Sequence, residues 1–110
     1  MTYSFKNYQT ESAHTAIYPR EKALEYVTLG LVGEAGEIAN KVKKIIRDNG
    51  GVVTPEQASQ IAAEVGDVLW YVAALSRELG VDLGEVAQAN IQKLTDRQAR
   101  GVIGGSGDNR

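Results

Sequence analysis

Two long apolar stripes separated by one short break constrain this chain more than any other feature. In the first, Leu24, Val27, Leu31, Ala35, Ile38, Val42 and Ile45 follow one another at intervals of three and four, the period of one helix face. The second repeats the pattern through Ile61, Val65, Val68, Val72, Leu75 and Leu79. Between them, Asp48-Asn49-Gly50-Gly51 is a helix stop. Thr54-Pro55-Glu56-Gln57 is a start, with a capping hydroxyl, a first-turn proline and a glutamine placed to close a capping box. Two helices of roughly 25 residues, each about 38 Å long at 1.5 Å per residue, follow from this. Joined by so short a connection, they pack as an antiparallel hairpin.

The remaining elements are shorter. A first helix is expected from Tyr3 to Ile17, stopping near Tyr18-Pro19 where proline discourages continuation. The second helix then starts near Arg20. Gly80 ends the third, and Asp82 caps a fourth that runs through Leu83, Val86, Ala87, Ile91 and Leu94. No strand pattern and no internal repeat emerges. The expected fold class is all-α, an antiparallel bundle of about four helices over residues 1–100. The tail 101–110, GVIGGSGDNR, carries no stripe and reads as flexible.

At 110 residues the chain makes one domain, small enough for association to supply part of its core. A net charge of −2 argues against a partner such as a nucleic-acid polymer, whose binders carry a basic excess. A small anionic ligand stays open, provided that cations or a metal gather locally. Cysteine is absent, which removes disulfides, thiolate zinc sites and a cysteine nucleophile. No apolar run approaches a membrane span, and MTYSFKNYQTES lacks the apolar centre of a signal peptide. A cytoplasmic protein with no membrane partner is expected.

Each hairpin helix carries an acidic pair at i, i+3: Glu34 with Glu37, and Glu64 with Asp67. Such residues share a helix face. Each pair flanks its apolar stripe, so the hairpin can bring four carboxylates together at mid-height. Unneutralised, that nest repels itself. Spacing leaves two readings open. The acids are solvated, with Lys41 and Lys44 as their cations, or they hold a hard divalent cation through oxygen, as magnesium prefers. Gly30, Gly33 and Gly36 recur in the same stretch, each costing about 1 kcal/mol of helix propensity; with Gly66 they leave backbone open to close approach by a ligand or a helix. On the fourth helix Asn90 continues the apolar seam, and a buried amide needs partners. Lys93 and Arg97 flank it, a donor-rich edge suited to phosphate oxygens, or an ordinary register-setting asparagine between solvated cations. Glu11 and His14 match half of a di-iron motif that requires two such pairs, and His14 is the single histidine. Trp70 lies opposite the main stripe of its helix and suggests a subunit interface.

Glu34-x-x-Glu37 followed by Glu64-x-x-Asp67 on two long helices resembles the signature of the MazG-like all-α nucleoside triphosphate pyrophosphohydrolases. The resemblance extends over 8-YQTESAHTAIY-18, 29-LGLVGEAGEIANKVKK-44, 64-EVGDVLWYVAAL-75, 90-NIQKLTDRQARG-101 and Gly107-Asp108. It implies a homodimer or homotetramer with the site near a subunit interface. It also implies Mg²⁺-dependent cleavage of a nucleoside triphosphate to the monophosphate and pyrophosphate. Metal ligation carries over to Glu34, Glu37, Glu64 and Asp67, and phosphate contact to Asn90 and Lys93. Lys41 and Arg97 extend the phosphate set by charge and proximity; Gln9 and Trp70 are candidates for the base, and Glu34 for the catalytic proton acceptor. A dUTPase-like enzyme and a phosphoribosyl-ATP pyrophosphatase are neighbouring activities. A non-catalytic helical interaction module is the alternative of a different class. The resemblance also implies that the glycine-rich tail folds over a site.

Overall fold

A computed structural model describes residues 2–110. Four α-helices follow in order: α1 (Phe5–Ser12), α2 (Ala23–Asn49), α3 (Pro55–Glu78) and α4 (Leu83–Ala99). Among the described residues there is no strand. The stops and starts work as their chemistry dictates. Gly50 adopts φ 59° at the end of α2, a left-handed position that suits glycine, and Gly51 N–H reaches back to the Ile45 carbonyl at 3.2 Å. Thr54 Oγ1 accepts from Gln57 N–H at 3.1 Å while Gln57 Oε1 accepts from Thr54 N–H at 2.9 Å, the reciprocal capping box. Asp82 Oδ1 caps α4 through Glu85 N–H at 2.9 Å.

The N-terminal third departs from expectation. The single helix expected over 3–17 is α1 followed by a 3₁₀ turn at Ala13–Thr15, and a second 3₁₀ turn at Arg20–Lys22 precedes α2. Lys22 breaks the continuity with φ −122° and ψ 21°. The cause is tertiary. Arg20 forms a two-pronged ion pair with Glu78 at 2.7 and 2.9 Å, and Tyr18 O–H donates to the same carboxylate at 2.6 Å. Both groups tie residues 18–20 to the last turn of α3.

The hairpin of α2 and α3 is the trunk, and α1 and α4 pack on α3. Val27, Ala74 and Ile45 are buried along the hairpin, the first two in one cluster with Tyr18 and Ala23. The expected α2 stripe splits in two. Val27, Leu31, Ile38 and Ile45 turn toward α3, whereas Leu24 and Val42 join Val32 and Ile46 on a second face that is exposed. On α4, Leu83 is buried but Val86, Ile91 and Leu94 are exposed, since only the first turns reach the trunk. The tail doubles back on α4: Arg97 is buried, donating to the Asp108 carbonyl at 3.2 Å, and Arg110 Nε donates to the Val102 carbonyl at 3.2 Å. No described helix is long and apolar enough to cross a membrane.

Candidate active site

Antiparallel packing sets the acid of one long helix against those of the other. One carboxylate oxygen from each of Glu34, Glu64 and Asp67 lies within 4.8 Å of the other two. Glu34 and Glu64 are half-buried and Asp67 is exposed. Burial, then the charges of Asp67 and Glu64, raise the Glu34 carboxyl above its ordinary range. Lys41 Nζ stands 3.9 Å from Glu64 Oε1, so one ammonium borders three carboxylates. Three oxygen donors gathered at this range suit a hard divalent cation, which would offset the repulsion. Glu37 is exposed and stands outside this trio. At 100° per residue it is turned about 60° beyond Glu34, away from α3.

Beside the acids opens a cavity of about 370 Å³, walled by Tyr18, Tyr26, Trp70 and Tyr71, with Glu34 and Asp67 at its edge. Its rings brace one another. Tyr18 stacks on Tyr26 at 5.2 Å between centroids, and Trp70 meets Tyr71 edge-on at 5.0 Å and Tyr18 at 6.4 Å. Trp70 Nε1 donates to Thr15 Oγ1 at 2.8 Å, so the tryptophan packs within the protomer under the N-terminal segment. Gly30 accounts for the seating of Tyr71: a Cβ there would fall 2.1 Å from the tyrosine ring. Gly33, Gly36 and Gly66 have no such neighbour. Two phenols look onto the acids. Burial first, and the Asp67 charge second, raise Tyr8; burial first, with Tyr26, Glu34 and Asp67 following, raises Tyr71. Both stay protonated donors.

The other sequence candidates lie elsewhere. Gln9 has both ends of its carboxamide engaged, Nε2 donating to the Val81 carbonyl at 3.0 Å and Oε1 accepting from Leu83 N–H at 2.9 Å. It anchors the start of α4, which leaves no carboxamide oxygen turned to a base. Asn90 and Lys93 are exposed on α4, and neither lines the cavity beside the acids. The buried seam expected around Asn90 does not form because nothing within the protomer covers that half of α4. Arg97 is spent on the tail, and its burial takes it out of the exposed cationic edge expected there. Of the aromatic wall, sequence reading singles out Trp70 as a candidate for the base but not the tyrosines around it. Four of the five tyrosines, Tyr8, Tyr18, Tyr26 and Tyr71, border the site, together with the single tryptophan. Tyr71, one helical turn beyond Asp67, was the available signal.

Residues 22–102 match the MazG nucleotide pyrophosphohydrolase domain. The chain belongs to that family. A protein of Mycobacterium phage L5 described as "Gene 37 protein" is 57% identical over 109 residues, covering 94% of this chain and 96% of that protein. No solved structure matches significantly. The matched span holds all of α2, α3 and α4, and with them every acid of the trio. A MazG domain is helical, and the all-α hairpin with its acidic mid-section accords with membership.

Proposed function

We propose that this MazG-family chain is a cytoplasmic, Mg²⁺-dependent nucleoside triphosphate pyrophosphohydrolase. The observation that carries the reading is the carboxylate trio within 4.8 Å at the mouth of an aromatic cavity. The cavity's volume of about 370 Å³ lies within the range of small-molecule sites, and its ring faces suit a base while the acids stand where the phosphates would begin. Glu34, Glu64 and Asp67 hold the cation, with Glu37 completing the set from one turn away. Magnesium held by these residues would supply positive charge to offset the triphosphate and the charge that develops in the transition state. Water attacks the α-phosphorus, the bond from that phosphorus to the bridging oxygen breaks, and pyrophosphate leaves. Glu34, at the edge of the cavity, is the proton acceptor for that water. Lys41 meets the phosphate oxygens beside Glu64.

Asn90 and Lys93 do not border their own protomer's acids. We assign them to the phosphates of a site completed by a second copy in a homodimer or homotetramer. The exposed apolar faces of α2 and α4 are the surfaces that such an assembly would cover.

The decisive experiment is pyrophosphate release from a panel of ribo- and deoxynucleoside triphosphates with magnesium, with dUTP, dUDP and phosphoribosyl-ATP included. At least one triphosphate is turned over, and Asp67→Ala reduces turnover at least 100-fold, a typical contribution of one electrostatic group, with helical circular dichroism intact. A chain without turnover and without a magnesium-induced rise in melting temperature is instead a non-catalytic module, because a bound ligand must stabilise the native state.

A further inference from the structure

Past the acids toward the hairpin loop, α2 and α3 border a second cavity of about 230 Å³. Lys41, Lys44, Gln57 and Gln60 line it, with Asp48 at its edge and Ile61 beneath. We infer that this cavity is a diphosphate-binding site that holds the two terminal phosphates of the substrate and then the departing pyrophosphate. The inference rests on the reading of the acids given above and extends it to residues with no role there.

Position is the first argument. The aromatic cavity lies on one side of the trio and this cavity on the other. Lys41 belongs to both neighbourhoods, lining the second cavity while its Nζ is 3.9 Å from Glu64. That separation exceeds a hydrogen bond, so the ammonium keeps donors to offer. Gln57 and Gln60 stand seven residues before Glu64 and Asp67, about 10 Å down the same helix face. A triphosphate laid along the hairpin runs from base to α-phosphate to the terminal pair in the order aromatic rings, carboxylates, cations.

Chemistry is the second. Thr54 N–H holds Gln57 Oε1 in the capping box, while its amide N–H₂ stays available as a donor. Asp48 is the one carboxylate on the cavity, and Arg47 grips both its oxygens at 2.7 and 2.9 Å. Its charge is therefore offset locally, and the two lysines leave the cavity electropositive. The dipole ends of α2 and α3 meet here with opposite signs and largely cancel. The side chains carry the selectivity, and ammonium with amide donors selects an oxyanion.

Calorimetric titration of pyrophosphate in the presence of magnesium tests this on the full chain, using Lys44→Ala and Gln60→Ala. Alanine is favourable at exposed helical positions, and circular dichroism checks each fold. Wild type binds pyrophosphate; Lys44→Ala weakens it about tenfold or more, the scale of one charge-assisted contact, and Gln60→Ala less. Nucleoside monophosphate binding is unchanged in both, while KM for the triphosphate rises with Lys44→Ala. Pyrophosphate binding equal to wild type in both variants, or none in wild type, overturns the inference. The two readings separate cleanly. Triphosphate turnover with pyrophosphate binding indifferent to Lys44 removes this site and leaves the enzyme; Lys44-dependent pyrophosphate binding without turnover does the reverse.

Discussion

Glu34 is the side chain on which the site's electrostatics turn. Without a cation it is hemmed in by burial, Asp67 and Glu64, which raises its pKa. A carboxyl whose folded pKa exceeds its unfolded value contributes stability below the unfolded pKa, and that contribution is lost as pH rises through the folded pKa. In chelator at neutral pH, Glu34→Gln therefore melts above wild type. Magnesium reverses the ranking, because only wild type keeps all three carboxylates. Melting curves with chelator and with magnesium read both signs, and a variant below wild type in chelator would remove the repulsion from the account. Gly30 makes the complementary point about space. Gly30→Ala drives a methyl group into the Tyr71 ring and costs about 1–3 kcal/mol by overpacking. Gly36→Ala, with nothing near its Cβ, gains about 0.5–1 kcal/mol of helix propensity. Urea denaturation of the two variants shows opposite shifts in midpoint.

At the scale of elements, the clamp between residues 18–20 and α3 sets the floor of the aromatic cavity. Arg20 first and Tyr18 second hold the Glu78 carboxyl below its usual range. A depressed folded pKa contributes stability that is present above the unfolded value, near 4.5, and is lost as pH falls through the folded value. Glu78→Gln should lose about 1–2 kcal/mol at pH 7, toward the lower end because the Arg20 side chain is 70% exposed and screened. Below that window the variant and wild type converge. Thermal melts between pH 2.5 and 7 follow the difference, and a constant gap across the range would mean that ionisation of Glu78 is not its source. This clamp also explains why the N-terminal third was the least legible part of the sequence. Helix starts and stops at Gly50, Thr54 and Asp82 are written in local chemistry and emerged where expected. Arg20 and Glu78 are 58 residues apart, and no local pattern announces their pairing. The site divides along the same line. The acidic pairs were visible because helix spacing places them on one face. That Glu34, Glu64 and Asp67 converge while Glu37 stands apart depends on how α2 is rotated against α3. Around Asn90 the apolar seam is legible in the sequence, but its exposure within the protomer is not, because periodicity does not say what covers a face.

The whole molecule exposes more surface than its mass warrants. Its described residues present 7854 Å², against about 5,900 Å² for a folded monomer of this size, and its radius of gyration is 16.9 Å, against about 13 Å. The excess, about 1,900 Å² for one protomer, is more than the roughly 800 Å² that each partner contributes to a standard interface. Its location is specific. Leu24, Val32, Val42 and Ile46 lie within about 80° of one another on α2 at 100° per residue, all exposed. Among the described residues Val27 is the single large side chain that is fully buried, so one protomer has little core of its own. These features point to a stability shared between copies, in which case dilution acts as a denaturant. Sedimentation velocity at micromolar concentration should show a dimer or tetramer. Each tenfold dilution should cost a dimer about 1.4 kcal/mol, lowering its melting temperature by roughly 3–5 °C. Ile46→Glu and Val32→Glu place a charge on the covered face, so they should shift the protein to smaller, less stable species, while a charge at the already solvated Glu21 position (Glu21→Lys) leaves assembly unchanged. A wild-type chain that sediments as a monomer, with a melting temperature indifferent to concentration, would mean that the bare α2 face is tolerated in water and that Asn90 and Lys93 must serve, if at all, within one protomer.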